Sequence, residues 1–272
     1  VLAAIEANRA TWIYLVPTMM TRIWRLPEET RARYDLSSLK TLWHLAAPCP
    51  AWLKEAFINW VGSETVMELY AGTEAQAVTT ITGTEWLEHR GSVGRVTVGE
   101  MQAFGDDGAP LPASEVGEIY MRRPPGAPPS YKYIGATPKT LPGGWESLGD
   151  IGWFDEDGYL YLADRRTDMI LVGGSNVYPA EIEAALEEHP DVQSCAVIGL
   201  PDDDLGSRVH AIVHTHGARD EAALRNHLST RLVTYKQPRS YEFTDEALRD
   251  DAGKVRRTAL RDARIGALKQ SS

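Results

Sequence analysis

Cysteine is nearly absent. Only Cys49 and Cys195 occur, far apart in the chain, so there is no disulfide framework and no paired-cysteine zinc motif, and a reducing cytoplasm is the expected setting. No apolar stretch reaches the length of a membrane span, and no signal peptide is visible. Positive charge is scarce: 28 Lys and Arg face 38 Asp and Glu, a net charge of -10. That balance argues against nucleic-acid partners, which require basic surface to neutralise phosphates, and against docking on anionic lipid. A phosphorylated small ligand stays open, because a pocket can be locally basic on an acidic protein. The seven His residues show no metal-ligand spacing. His210, His214 and His216 fall on a strand and its end, where alternating exposed polar residues are expected. Internal repeats and low-complexity tracts are missing. So is an initiator Met: the chain opens Val1-Leu2-Ala3-Ala4, which reads as a fragment or a processed chain.

What is present suffices for folded cores. Apolar residues make up 43% of 272 residues, enough for two or three compact units. From 1 to about 90, helical and strand patterns alternate. Trp12 to Val16, Leu39 to Leu45 and Thr65 to Tyr70 read as strands, and Glu6 to Arg9, Met19 to Leu26 and Trp52 to Trp60 as helices. Such alternation implies a mostly parallel sheet within a larger α/β domain. From 91 to 163 the strands are short and broken by Gly105-Asp106-Asp107-Gly108 and Asp155-Glu156-Asp157-Gly158. Asp and Gly tolerate positive φ and favour hairpins, so a small antiparallel barrel or sheet fits. Pro124 to Pro129 reads as an exposed loop. From 164 to 272 a small α+β unit is expected. Met169 to Val172, Ser194 to Leu200 and Val209 to His214 are its strands, Pro179 opens one helix, and Asp220 caps another carrying Leu224, Leu228 and Leu232.

Four stretches stand out together: Glu68-Leu69-Tyr70-Ala71-Gly72-Thr73-Glu74, Gly144 to Asp150, Asp164 to Glu183, and Gly253-Lys254-Val255-Arg256. Each alone is weak. Lys254 by itself is as well a solvated lysine, Asp150 a turn residue beside Gly149, and Tyr70 a core tyrosine. In this order and spacing they resemble the adenylate-forming superfamily of acyl-CoA synthetases, luciferases and peptide-synthetase adenylation domains, over the full length of the chain. The resemblance implies the C-terminal half of an AMP-forming acyl-CoA synthetase: part of the large α/β domain, a β-rich subdomain and a mobile C-terminal lid.

The chemistry implied by that resemblance joins a carboxylate to the α-phosphate of ATP. Two anions meet, so cations, donors and positioning matter more than a nucleophile. Lys254 is then the lysine that swings over the site to the acyl and phosphate oxygens. Asp150 accepts from the ribose hydroxyls, Arg165 contacts ribose or phosphate, and Thr167 is the hinge. Thr73 contacts phosphate, and Glu74 helps hold Mg²⁺. Tyr70 stacks on adenine, and Ala46 and Ala47 let the backbone approach the base. Gly173 and Gly174 begin a loop that flanks the pantetheine path. The sequence departs from the family pattern at Leu148, where Thr is typical, at Leu248, where Pro is usual, and at Ala46 and Ala71, where Gly is common.

The family's phosphate-binding loop, rich in Ser, Thr and Gly and ending in Pro-Lys, is absent from these residues. The resemblance therefore implies that adenylation requires a preceding half or a companion chain. The substrates implied are ATP, Mg²⁺, coenzyme A and a small-molecule carboxylic acid. The stretches from Glu85 to Gly94 and Asp202 to Asp204 resemble bacterial ligases for bile-acid, steroid and fatty acids. Loading of a carrier protein and non-catalytic nucleotide binding are the competing readings. A homodimer is compatible with all three.

Overall fold

Short runs rich in β-branched and aromatic residues favour strands, and the first ninety residues hold three of them. The computed structural model describes residues 1–135, 137–250 and 253–270. It divides into two compact units, Val1–Leu162 and Ala163–Ser272.

The first unit begins with α1 (Leu2–Asn8), β1 (Trp12–Leu15) and α2 (Pro17–Trp24), the last with Pro17 at its N-terminus, where a missing N–H costs nothing. A short α3 (Glu28–Arg31) leads to β2 (Thr41–His44), α4 (Ala51–Val61) and β3 (Val66–Ala71). Strands β1, β2 and β3 are parallel, in the register Leu15 to His44 and His44 to Glu68. Helices α2 and α4 cover them, and Met20, Leu42, Leu53, Phe57 and Val66 fill the space between.

Then β4 (Val78–Thr82) reverses direction and pairs antiparallel with β3. Helix α5 (Gly83–Glu88) starts at Thr82, which forms a reciprocal capping box with Glu85. The remaining strands of the unit are β5 (Ser92–Val98), β6 (Glu100–Phe104), β7 (Gly117–Arg122), β8 (Lys139–Leu141), β9 (Trp145–Phe154) and β10 (Tyr159–Arg165). All ten form one sheet in the order β1-β2-β3-β4-β5-β10-β9-β7-β6, with β8 on β9. Strand direction changes between β3 and β4, ahead of residue 91, and the sheet continues unbroken across that position. The Asp155–Gly158 turn joins β9 to β10, where the Gly158 N–H donates to the Asp155 carbonyl (3.1 Å).

The second unit starts with a hairpin of β11 (Ile170–Val172) and β12 (Ser175–Val177), then α6 (Pro179–Glu187), β13 (Val192–Asp202), β14 (Gly206–Thr215), α7 (Glu221–Ser229), β15 (Ser240–Thr244) and α8 (Arg257–Gln270). Strand β14 is central, antiparallel to β13 and parallel to β15. Alternate residues of β13 face opposite cores. Cys195 and Val197 join Ile182, Leu186, Leu224 and Leu228, while Ala196, Ile198 and Leu200 join Leu248, Val255 and Leu260. Two buried faces explain why Ser194 to Leu200 reads as an unbroken apolar run.

Asp220 caps α7 as expected, its side chain accepting from the Ala223 N–H (3.0 Å). The helix stops at Ser229, however, and Leu232 reaches the same core from the next turn. His210 corrects the expectation of an exposed strand histidine. It is only 6% exposed, because Ser240 and Glu242 of the adjoining β15 lie against its ring at 2.8 Å and 3.5 Å. Trp12 on β1 is 59% exposed.

Candidate active site

Parallel strands end in loops on one edge of a sheet, and ligands of α/β folds gather outside those carboxyl ends. Here the ends of β2 and β3 are adjacent by register, so the Leu45–Pro48 and Gly72–Ala75 turns leave the sheet side by side. Ala46 adopts φ 78, a left-handed conformation that costs a residue with a Cβ roughly 1 kcal/mol. That accounts for glycine as the easier residue here. Ala47 follows, half-buried.

From β3, Tyr70 packs half-buried against the core made by β6, β7 and β10. Its hydroxyl donates to Asp150 Oδ2 at 2.6 Å. Asp150 lies on β9 directly after Gly149, whose φ is 84. The Gly149 N–H donates to Ser147 Oγ (2.9 Å), and that hydroxyl donates to Glu118 (2.6 Å). This chain of bonds holds the bend that presents Asp150. Leu148 fills the space over Gly72, where a Cβ would collide with Leu148 Cδ1 and Glu74 Oε2. The larger apolar residue at 148 therefore has a packing partner.

Thr73 is exposed at the tip of the turn. Glu74 is half-buried, and the Tyr133 hydroxyl donates to its Oε1 (2.8 Å), while Ser130 donates to its backbone carbonyl. The hydrogen bond to Glu74 keeps the Tyr133 phenol protonated far above the usual range. Nearby, Glu146 accepts from the Tyr131 hydroxyl (2.6 Å) and from buried Gln76 (3.0 Å). Sequence reasoning missed Gln76, Tyr131, Tyr133 and Glu146. The only available signal was the alternation of Tyr131 and Tyr133 with Lys132 and Ile134.

Beneath these turns lies a buried ion pair. Lys54 Nζ on α4 donates to Glu68 Oε2 at 2.5 Å, and the His44 ring stands 3.9 Å from the same oxygen. Burial pushes the His44 imidazole down to about 4, against the opposing pull of Glu68.

The second unit holds the remaining expected residues. Arg165 and Thr167 are exposed, in a turn closed by the Asp168 and Met169 N–H groups on the Arg165 carbonyl (3.0 and 3.2 Å). Gly173 and Gly174, with φ 55 and 85, form the turn between β11 and β12. Lys254 is exposed and follows Gly253, whose φ is 82. Its N–H donates to the Asp250 carboxylate (2.9 Å), and the Asp250 N–H donates back to its carbonyl (3.0 Å). Arg249 and Val255 pair across this loop, and Leu248 anchors it in the core. Apolar anchoring thus takes the place of a proline at 248.

Glu183, at the end of the Asp164–Glu183 stretch, is buried. Arg257 donates to it at 2.7 Å and to Asp168 at 2.9 Å, and the Val197 N–H donates to it at 2.8 Å. A cleft of about 450 Å³ beside this cluster is lined by Asp168, Ile170, Ile198, Gly199, Arg257 and Ile265. Of the expected site residues, only Thr167 lines it.

No group of three His, Cys, Asp or Glu among the described residues forms a metal cage. A single presented carboxylate suits Mg²⁺, which takes one or two carboxylates and leaves its other positions to phosphate oxygens and water. Glu74 matches that donor set, since the Tyr133 hydroxyl bonded to its carboxylate is neutral.

The sequence model of AMP-binding enzymes matches residues 1–131, and that of the AMP-binding enzyme C-terminal domain matches 181–254. A feruloyl-CoA synthase from Amycolatopsis sp. is 37% identical over 265 residues, 96% of this chain and 53% of that protein. The fatty acid–[acyl-carrier-protein] ligase ScoC of Streptomyces coeruleorubidus is 41% identical over 158 residues, 57% of this chain and 30% of that protein. The Bacillus subtilis o-succinylbenzoate coenzyme A synthetase, solved in complex with ATP and magnesium ion, superposes with a TM-score of 0.79 at 28% identity. It covers 96% of this chain and 53% of its own. The chain spans about half the length of the relatives it matches along most of its own length.

Proposed function

The chain belongs to the AMP-binding enzyme family and has the C-terminal portion of the adenylate-forming fold, and from that premise we propose that it forms the nucleotide-gripping and lid portions of an ATP-dependent carboxylic acid–CoA ligase. The observation that carries the reading is the hydrogen bond between Tyr70 and Asp150, which brings two of the four motif stretches to one place.

In the first half-reaction a carboxylate oxygen attacks the α-phosphorus of ATP, forming the acyl–phosphate bond and expelling pyrophosphate. In the second, the CoA thiol loses its proton and attacks the acyl carbonyl, forming the thioester and releasing AMP. Tyr70 offers its flat face to adenine, with the Ala46 and Ala47 backbone beside it. Asp150 accepts from the ribose hydroxyls, and Arg165 adds a cation to ribose or phosphate. Thr73 donates to phosphate. Glu74 would hold Mg²⁺, which offsets the negative charge of the phosphates when bound. Lys254 supplies a mobile point charge for the acyl and phosphate oxygens. A turn of the lid about Thr167 would exchange Lys254 for the Gly173–Gly174 turn, which flanks the thiol. The Pro-Lys-terminated phosphate loop lies outside these residues, either as a preceding half or as a companion chain, so the chain alone should not complete adenylation.

The acyl group we favour is apolar, of the bile-acid, steroid or fatty-acid kind, and the site of action the cytoplasm. No described helix is long and apolar enough to cross a membrane. A carrier protein is the second acceptor to weigh, since one relative is named as an acyl-carrier-protein ligase.

The test is ATP–pyrophosphate exchange by the complete enzyme with a panel of steroid, bile, fatty and aromatic acids. Exchange dependent on one acid class is expected, followed by thioester once CoA is added. No exchange with any acid would overturn the enzyme reading. Exchange without CoA thioester, but with acyl transfer to a carrier protein, would move the acceptor.

A further inference from the structure

Glu74 is held by a segment that no motif covers. Residues 130–133 follow the proline-rich loop outside any helix or strand, with Tyr131 and Tyr133 half-buried and Lys132 and Ile134 exposed. The two rings meet edge to face at 4.8 Å. Tyr131 is tied to Glu146, which also takes Gln76 and faces Arg123 at 3.6 Å. Ser130 donates to the Glu74 carbonyl and the Gln76 amide donates to the Tyr131 hydroxyl (3.4 Å), so the segment holds this turn at Glu74 and Gln76. Among the described residues Tyr133 bonds the Glu74 carboxylate, at Oε1, while Oε2 lies over the hydrogen-only face of Gly72.

We propose that Tyr133 is a positioning residue that holds the Glu74 carboxylate ready for a divalent cation. The proposal rests on the reading of Glu74 as the metal-binding carboxylate. A cationic neighbour at this place would neutralise the carboxylate and compete with the metal. None pairs with Glu74 among the described residues. A neutral hydroxyl fixes the rotamer and leaves the charge intact. Each carboxylate oxygen can accept more than one bond, so Tyr133 does not use up the oxygens it orients. Hydrogen-bonded neighbours of metal-binding carboxylates typically contribute ~10–100-fold in metal affinity. Gly72 serves the same end, because any side chain there would displace Oε2.

The experiment uses the complete enzyme with a non-hydrolysable ATP analogue and Mn²⁺ as the probe. Free Mn²⁺ is followed by electron paramagnetic resonance in the wild type and in the Tyr133→Phe, Glu74→Gln, doubly substituted and Lys132→Ala forms. Phe keeps the ring contact with Tyr131 and removes only the hydroxyl. Tyr133→Phe should weaken Mn²⁺ binding about 10-fold, Lys132→Ala should leave it unchanged, and the double variant should bind no worse than Glu74→Gln alone. In parallel, Tyr133→Phe should raise the Mg²⁺ concentration for half-maximal pyrophosphate exchange, with saturated turnover kept. Loss of Mn²⁺ affinity in Glu74→Gln but wild-type affinity in Tyr133→Phe would overturn this inference and leave the function standing. Wild-type affinity in Glu74→Gln would remove the metal role of Glu74 and this inference with it.

Discussion

The Tyr70 hydroxyl and the Asp150 carboxylate, eighty positions apart in sequence, share a 2.6 Å hydrogen bond. Tyr70 lies on β3, which runs parallel to its neighbour β2, and Asp150 belongs to the antiparallel part of the same ten-stranded sheet. The turn where strand direction changes therefore separates the two along the chain, while the sheet rejoins them.

A graded effect on ATP binding follows. Tyr70→Phe keeps the ring and loses one bond to a charged acceptor, a change of roughly 1.5 kcal/mol, or about tenfold in affinity. Asp150→Ala removes the carboxylate itself and should weaken ATP binding further, by about 100-fold. Equilibrium binding of ATP to the complete enzyme measures both. Unchanged affinity in Asp150→Ala would count against the ribose role.

Lys254 should separate the two half-reactions. Its backbone is fixed by the mutual bonds with Asp250, and the residue is exposed. Lys254→Ala should lower pyrophosphate exchange by ~10²–10³-fold, the usual cost of one donor to developing charge. Thioester formation from supplied acyl-adenylate should fall only about threefold or less. Equal losses in the two assays would contradict a lid that trades one set of residues for another.

The parts of the fold that sequence reveals are those decided locally. Trp12 to Val16 and Thr65 to Tyr70 announce strands through short runs rich in β-branched and aromatic residues, although Trp12 and Tyr14 turn out exposed. The Asp155–Gly158 turn and the Asp220 cap announce themselves through side-chain chemistry. Contacts made across long separations leave no such trace. Nothing in Tyr133 points to Glu74, 59 positions away, and nothing in Glu183 points to Arg257, 74 positions away. Helix α8 escaped because Arg257–Gln270 is charged on most faces and turns only a few apolar residues, such as Leu260 and Ile265, to the core. His210 was misjudged because alternation reveals the period of a strand and not what covers each face.

Acid should weaken the first unit through His44. Its pKa falls from an ordinary 6.5 to about 4 on folding, chiefly by burial, with Glu68 opposing and Lys54 assisting. A depressed folded value means that the unfolded chain binds the proton first. The stabilising contribution is complete above pH 6.5 and is lost as pH falls toward 4, by at most about 3 kcal/mol. His44→Leu cannot take up that proton. Urea unfolding of both forms at pH 7 and 4.5 should show a larger loss for wild type, and equal losses would remove His44 as the cause.

Arg257 should matter to the second unit more than any surface ion pair. Its guanidinium spans Glu183 at 2.7 Å and Asp168 at 2.9 Å, with Asp164 at 3.7 Å. Arg249 also reaches Glu183, at 3.4 Å, and cannot replace the contacts to the two aspartates. Arg257→Ala strands buried carboxylates and should cost ~3–5 kcal/mol at neutral pH. Arg257→Lys should recover only part of that, since one ammonium cannot reproduce a planar fork. Burial already raises the Asp164 pKa, with Arg257 the main opposing influence. Without the guanidinium, Asp164 is protonated more readily, so the penalty of Arg257→Ala should shrink between pH 8 and pH 5. The Val197 amide, bonded to Glu183, is the local reporter. Its hydrogen exchange should accelerate strongly in Arg257→Ala at pH 8 and less, relative to wild type, at pH 5. An acceleration that does not depend on pH would mean that lost packing, and not stranded charge, is what Arg257 prevents.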